Sequence, residues 1–572
     1  MVSTSVSGSS APGGAGQPTV AGTGRPAASG RHSGSSSLGP RERRLLAAVL
    51  TALAGMVLFL AYLAQARTLP VHLDVASASG PQTMQAWDML HGNVLLSGWS
   101  VGDVSYYTTE LPEYVLVLAL RGLNGDAVHI VAALNYTLMV LLAAVLAKGR
   151  ATGREGLVRA LIAAGIMLAP ALAGGTSVVL SGPDHTGTQV PLLLIFLVLD
   201  RAPERWWTPV LVSVMLVWAM MADMLVLYQG VVAILVVCAV RMFRRRGPWR
   251  GHWFELSLAG GALAAVAAAR AALVLIWHAG GFYVRMPTGR IASAHQLVSQ
   301  LGTKLERVLG TFSADFIGPG AGRATIFALF HVVGFVLVVW AVVLGVRHIF
   351  TNDLVAQVLT AGFGFMLVAY LFGTRPNPNE IIGLLPMGAA LAGRLLAGRL
   401  IRIRRLIPVL AVVLAINGIA LAASAAQPAA SYQSHPSAAW FEARHLSSGL
   451  AGFGQAWQIS VDSGDRVHVS PVRVFRGRLV TTPWENSTTW YDPSTHYANF
   501  VVVQRFKCGH VCGNVSELEA LFGPAARTYD VGKDRVLVWN QNLLTNVPVL
   551  SWCEPNVWEW TASGKPSVTP CR

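Results

Sequence analysis

Acids, histidines and arginines at the edges of the apolar blocks define the chemistry open to this chain. Asp74 follows the first apolar block by eight residues, and Glu110 opens the run Glu110-Leu-Pro-Glu-Tyr114. Asp184-His185 stands between two blocks, and Asp223 marks a tight turn between two others. Arg270 falls inside a block, Arg285 and Arg290 lie in the loop after it, and Arg375 precedes Pro376-Asn-Pro-Asn379. Carboxylates and imidazoles of this kind move protons, while the guanidinium fork holds anionic oxygens. Each also has a plainer reading. Asp74 can be a solvated loop acid, His185 part of a turn, Asp223 a helix cap, Arg270 a snorkelling cation and Arg375 a lipid-phosphate anchor. No Asp-x-Asp motif marks a metal site in the loop after the first block, although Asp184-His185 and Asp223 leave a divalent metal open.

The elements that must position these residues follow from composition. The chain has 572 residues, 53% hydrophobic and 12% charged, with mean hydropathy +0.51. That excludes a large water-soluble enzyme and a disordered polyelectrolyte. Residues 1–44 are a Gly-, Ser-, Ala- and Pro-rich tail without an apolar period, expected to be disordered and cytoplasmic. Leu45–Ala66 is long enough to span a bilayer. It ends in a signal-peptidase-like Ala64-Gln65-Ala66, yet its length favours an uncleaved anchor. Further blocks centre on 127–147, 157–174, 188–200, 208–222, 224–240, 254–278, 324–346, 354–373, 380–397 and 406–425, giving about eleven spans. With eleven, every basic cluster falls on one face, from Arg41/Arg43/Arg44 to Arg394–Arg405. The positive-inside rule then sets the N-terminus inside and the C-terminus outside. The formal charge of +15 is an orientation signal rather than a nucleic-acid footprint.

Two long outer loops result, 67–126 and about 279–323, and the first fits two amphipathic helices along the membrane surface. From about Gln427 the charge rises and alternating segments appear at 466–475, 500–506 and 535–539. They read as strands of a small mixed α/β extracytoplasmic domain over 427–572. Its four cysteines, Cys508, Cys512, Cys553 and Cys571, fit two disulfides in any of three pairings, of which Cys508–Cys512 with Cys553–Cys571 is the one we take first. Cys508-Gly-His-Val-Cys512 could instead be half a metal site, but the second half is missing. The expected fold is mainly α, a polytopic helical bundle over 45–426 with this domain appended.

The membrane half, about 45–400, resembles the GT-C superfamily of integral-membrane glycosyltransferases, whose members include protein mannosyltransferases and aminoarabinose transferases. The resemblance rests on Asp74 after the first span, Gln85 to Gly92 ending Met89-Leu90-His91-Gly92, Glu110-Leu-Pro-Glu-Tyr114, and Arg375 ahead of Ile381-Ile-Gly-Leu-Leu-Pro386. It implies sugar transfer from a polyprenyl-phosphate donor to an acceptor glycan or protein of the cell envelope, by inverting displacement and without a cofactor. Asp74 and Glu110 would be the catalytic acids, with Asp88 and Asp103 as further candidates in the loop. His185, Asp223, Arg270, Arg285, Arg290 and Arg375 would bind substrate. Membrane lipids are the other expected partner, nucleic acid is not expected, and no metal ligands are assigned, with a divalent metal left possible.

Two readings from other classes compete. A transporter or flippase would show an internal repeat and paired broken spans, and neither is apparent. A non-catalytic envelope protein would use its outer domain for binding, for which Trp484, Trp490, Trp552, Trp558 and Trp560 supply rings that stack on sugars.

Overall fold

In a membrane a backbone can satisfy its polar groups only within itself, so apolar blocks of about 20 residues become helices. A computed structural model describes residues 39–69, 79–171, 178–182, 185–245, 249–284, 291–315, 323–350, 353–374, 377–430, 438–475, 478–482, 484–504 and 515–548. Within Met1–Ala52 the described residues are the start of the first helix, and the bundle and the sheet belong to Leu53–Arg572.

Ahead of the C-terminal sheet region the α-helices are α1 (Pro40–Ala66), α2 (Ser79–Leu90), α3 (Glu110–Arg121), α4 (Asp126–Lys148), α5 (Gly153–Met167), α6 (Val178–Ser181), α7 (Thr186–Arg201), α8 (Trp207–Ala222), α9 (Ala233–Arg245), α10 (Trp253–His278), α11 (Ala294–Thr311), α12 (Arg323–Arg347), α13 (Leu354–Phe372), α14 (Leu384–Arg402) and α15 (Leu406–Ala425). Eight helical segments are long and apolar enough to cross a membrane: Leu45–Ala66, Asp126–Lys148, Leu227–Arg245, Trp253–His278, Ala328–Arg347, Leu354–Phe372, Pro378–Arg402 and Leu406–Ala425. The other three expected blocks hold α5, α7 and α8, of 15, 16 and 16 residues. The break between α8 and α9 falls at Asp223 and is followed by a π-helical turn, Leu227–Val232.

Helix α14 is the axis of the bundle and packs on α4, α5, α12 and α13. Small residues allow the close approach: a Cβ on Gly393 would lie 2.3 Å from the Arg159 carbonyl oxygen. Both loops expected outside carry helices. α2 and α3 occupy the first. α11 occupies the second, where no element was anticipated, and begins at a capping box formed by Ser293 and Gln296.

Residues 448–538 form a six-stranded mixed sheet with β2 (Ser448–Ala451), β3 (His468–Phe475), β4 (Arg478–Thr481), β6 (Phe500–Gln504), β7 (Arg527–Val531) and β8 (Asp534–Val538) in the order β4-β3-β2-β6-β8-β7. β2 runs parallel to β3 and β6, and the other pairs are antiparallel. The three alternating segments in the sequence become β3, β6 and β8. Alternation sends Leu450, Val501 and Leu537 into one apolar layer and Ala451, Val502 and Val536 into the other. A separate ribbon joins the sheet region to the first loop, pairing β1 (Trp99–Ser100) with β5 (Asn486–Ser487). Trp99 stacks 6.2 Å from Trp457 and meets Trp490 edge-on at 4.9 Å.

Candidate active site

Three segments converge at the N-terminal end of α7. The first is the stretch from β1 to α3. It is tied to the last turn of α8, where the Ser105 hydroxyl donates to the Met221 carbonyl at 2.6 Å and the Ser105 amide to the Ala222 carbonyl at 2.9 Å. Thr108 donates to the Trp218 carbonyl at 2.6 Å, and the Trp218 indole returns a bond to Thr108. Glu110, the first residue of α3, is thereby fully buried against α7.

The Glu110 carboxyl sits where the positive end of α7 exposes backbone amides. Its Oε1 accepts from the Gly187 amide at 3.0 Å, and the Thr109 hydroxyl donates to Oε2. Glycine at 187 allows this approach, since a Cβ there would lie 2.4 Å from the Glu110 carboxyl carbon and force it or the helix to shift. Burial pushes the Glu110 carboxyl up to about 8, against the opposing bond from Thr109. At neutral pH it therefore holds its proton. Glu113, one turn on, is likewise pushed by burial to about 8, while Asn135 donates to it at 2.6 Å.

His185 and Asp223 form the rest of the cluster. The imidazole Nδ1 lies 2.8 Å from Asp223 Oδ2, while Asp223 Oδ1 accepts from the Leu225 amide at 2.8 Å. His185 takes φ 61°, a left-handed conformation uncommon for a residue with a Cβ. Such positions cluster at functional sites. Asp223 fixes the ring through Nδ1. The Tyr106 ring lies 6.5 Å away, tilted.

Sequence reasoning missed a further group just along α7. Gln189 and Gln229 are buried, and a Cβ on Gly383 would lie 2.6 and 2.5 Å from their side-chain oxygens. Thr186, Thr188, Gln189 and Gln229 all bury side-chain atoms that lack a protein hydrogen bond. The available signal was the lone polar Gln229 inside an apolar block, on what proves to be the π-helical turn.

The structure brings Glu110, His185 and Asp223 together. Arg270 lies elsewhere, on the exposed side of α10. Asp74, Asp184, Arg285, Arg290, Arg375 and the cysteines at 508, 512, 553 and 571 lie outside the described residues. Asp88 is engaged by the Asn93 amide and the Trp99 indole, both at 2.7 Å, and Asp103 is half-buried between β1 and α3. Among the described residues no three His, Cys, Asp or Glu side chains group as a metal site.

At the other end of α7, Arg394 bonds Asp353 through Nε at 2.7 Å and Nη2 at 3.0 Å. It also reaches Asp200 at 2.7 Å and the Leu146 carbonyl at 3.1 Å. No family model matches this sequence, and no curated protein is similar to it.

Proposed function

We propose that the chain is a multi-pass membrane glycosyltransferase of GT-C type, moving a sugar from a polyprenyl phosphate to a cell-envelope acceptor. The observation that carries this reading is the convergence of Glu110, His185 and Asp223 from segments 77 and 38 residues apart. In this reading α1, α4, α5, α7, α8, the π turn with α9, α10, α12, α13, α14 and α15 are eleven spans. The N-terminus is inside, and the cluster lies outside with the domain 427–572.

His185 is the better proton acceptor. Glu110 is fully buried and holds its proton near neutrality, whereas the His185 imidazole is set in place by Asp223 Oδ2 at 2.8 Å. Asp223 aligns the ring, as the carboxylate does in hydrolase triads. The acceptor hydroxyl gives its proton to His185 as its oxygen bonds the anomeric carbon. The bond from that carbon to the phosphate oxygen breaks, and polyprenyl phosphate leaves. Glu110 holds the α7 terminus in place. Arg285, Arg290 and Arg375 are the candidates for the phosphate, and Asp74 is the alternative base.

Purified chain in liposomes, given radiolabelled polyprenyl-phosphate sugars and envelope acceptors, should label the acceptor. His185→Ala should not, and Asp74→Asn should. Labelling undiminished in His185→Ala and lost in Asp74→Asn would move the base to Asp74. No transfer by wild type would reject the enzyme. A flippase is the second reading, favoured by the buried amides of Gln189 and Gln229. It predicts lipid-linked sugar moved across the liposome with no product.

A further inference from the structure

Helix α11 exposes the stripe that amphipathic packing normally buries. Ala294, Val298, Leu301 and Leu305 recur at helical spacing on one side. Val298 is 78% exposed, Leu301 and Leu305 are each 48%, and Ile291 just ahead is 83%. The flank turned to the protein is mixed, with Val308 buried in the apolar core beside polar groups. Lys304 is fully buried and donates to the carbonyls of Leu371 at 2.9 Å and Gly373 at 2.6 Å. Gln300 and Arg307, on the same flank, are half-buried.

These contacts fix the level of α11. Lys304 caps the C-terminal carbonyls of α13, and the Ala292 amide donates to the Phe372 carbonyl at 2.8 Å. α11 is therefore pinned where the apolar helix Leu354–Phe372 ends. Val368 and Phe372 on that last turn are themselves 52% and 50% exposed, so the open stripe continues an apolar outer surface. A third sector of α11, with His295, Ser299 and Thr303, is exposed and polar. Three sectors facing protein, apolar medium and water are what a helix at a membrane boundary requires. Water over the apolar stripe would cost about 25 cal/mol per Å².

We infer that α11 is an interfacial helix, its Val298–Leu301–Leu305 stripe seated in the acyl layer of the bilayer and anchored to the protein by Lys304. This holds whatever reaction the chain performs.

The test places the photocrosslinker p-benzoylphenylalanine singly at 298, 301 or 305, and at 295, 299 or 303, in the full chain. All six positions are exposed. Each variant is irradiated in phosphatidylethanolamine–phosphatidylglycerol nanodiscs and its intact mass measured. Adducts of phospholipid mass are expected at 298, 301 and 305 and not at the other three. Equal yields on both sets, no lipid adduct on the stripe, or crosslinked dimers there would each overturn the assignment, the last by giving the stripe to a second copy.

Discussion

Asp200 near the C-terminus of α7 meets Arg394 at 2.7 Å and Arg201 at 3.2 Å, and Arg394 also pairs with Asp353. At the N-terminus of the same helix, Glu110 meets an amide and a hydroxyl, Glu113 a carboxamide, and Asp223 an imidazole and an amide. One end balances buried charge with opposite charge. The other holds Glu110 and Glu113 with dipoles, keeps Glu110 neutral by burial and sets Asp223 against the His185 imidazole. Taking charge out of water is costly unless it is paired, so the balanced end is explained by architecture alone. The Glu110 end accepts perturbed acidity and a left-handed His185. That pairing of burial with shifted acidity marks sites that do chemistry.

Breaking each end should therefore have a different signature. If the proposed sugar transfer is the activity, His185→Ala should lower it about a hundred- to ten-thousand-fold, the usual worth of a positioned base, with little loss of thermal stability. A fall in melting temperature large enough to account for the lost transfer would make His185 structural and erase the contrast.

Arg394→Met should do the reverse. It leaves Asp200 with Arg201 alone and Asp353 with only the Ala356 amide it caps. The expected cost is about 3 kcal/mol, the lower bound for breaking a buried ion pair. Transfer per folded molecule should be kept. Reversible unfolding in detergent measures it, and a cost below about 1 kcal/mol, the surface-pair range, would remove the distinction.

Gly187→Ala strikes the contact that joins α3 to α7. The new Cβ would sit 2.4 Å from the Glu110 carboxyl carbon, so the carboxyl or the helix must shift. Overpacking of this kind costs about 1–3 kcal/mol. Transfer should fall alongside, because His185 is two residues away. Stability equal to wild type would mean the site is looser than its hydrogen bonds imply.

The parts legible in the sequence were those with local causes. Apolar blocks announced α4, α10 and α13, and strict alternation announced β3, β6 and β8. Both patterns are set by neighbours within a turn or a strand. Glu110, His185 and Asp223 were singled out individually, but their meeting depends on three helix ends coming together, which no local pattern encodes. Gly187 carried no signal, because its role is defined by a side chain 77 residues earlier. α11 could have been found. Ser293-x-x-Gln296 ahead of a helical apolar stripe is a start signal, obscured by reading 279–323 as connecting loop.

The finest test of the comparison is pH. Glu110 titrates near 8 in the folded chain against an ordinary 4.5, so the folded state binds its proton more tightly. Its contribution to stability is complete below about 4.5 and is lost as pH rises through about 8. Glu113 behaves alike. Glu110→Gln keeps an oxygen for the Gly187 amide and removes the titration. Between pH 5 and 9 the melting temperature of wild type should fall more steeply than that of Glu110→Gln, and Glu110→Gln/Glu113→Gln should be flatter still. Arg394→Met should keep the wild-type slope, since its ion pairs are at the other end of α7. Parallel curves for wild type and the double variant would mean that both acids are charged in the folded state. The Glu110 end would then resemble the Arg394 end, with cations yet to be assigned to it.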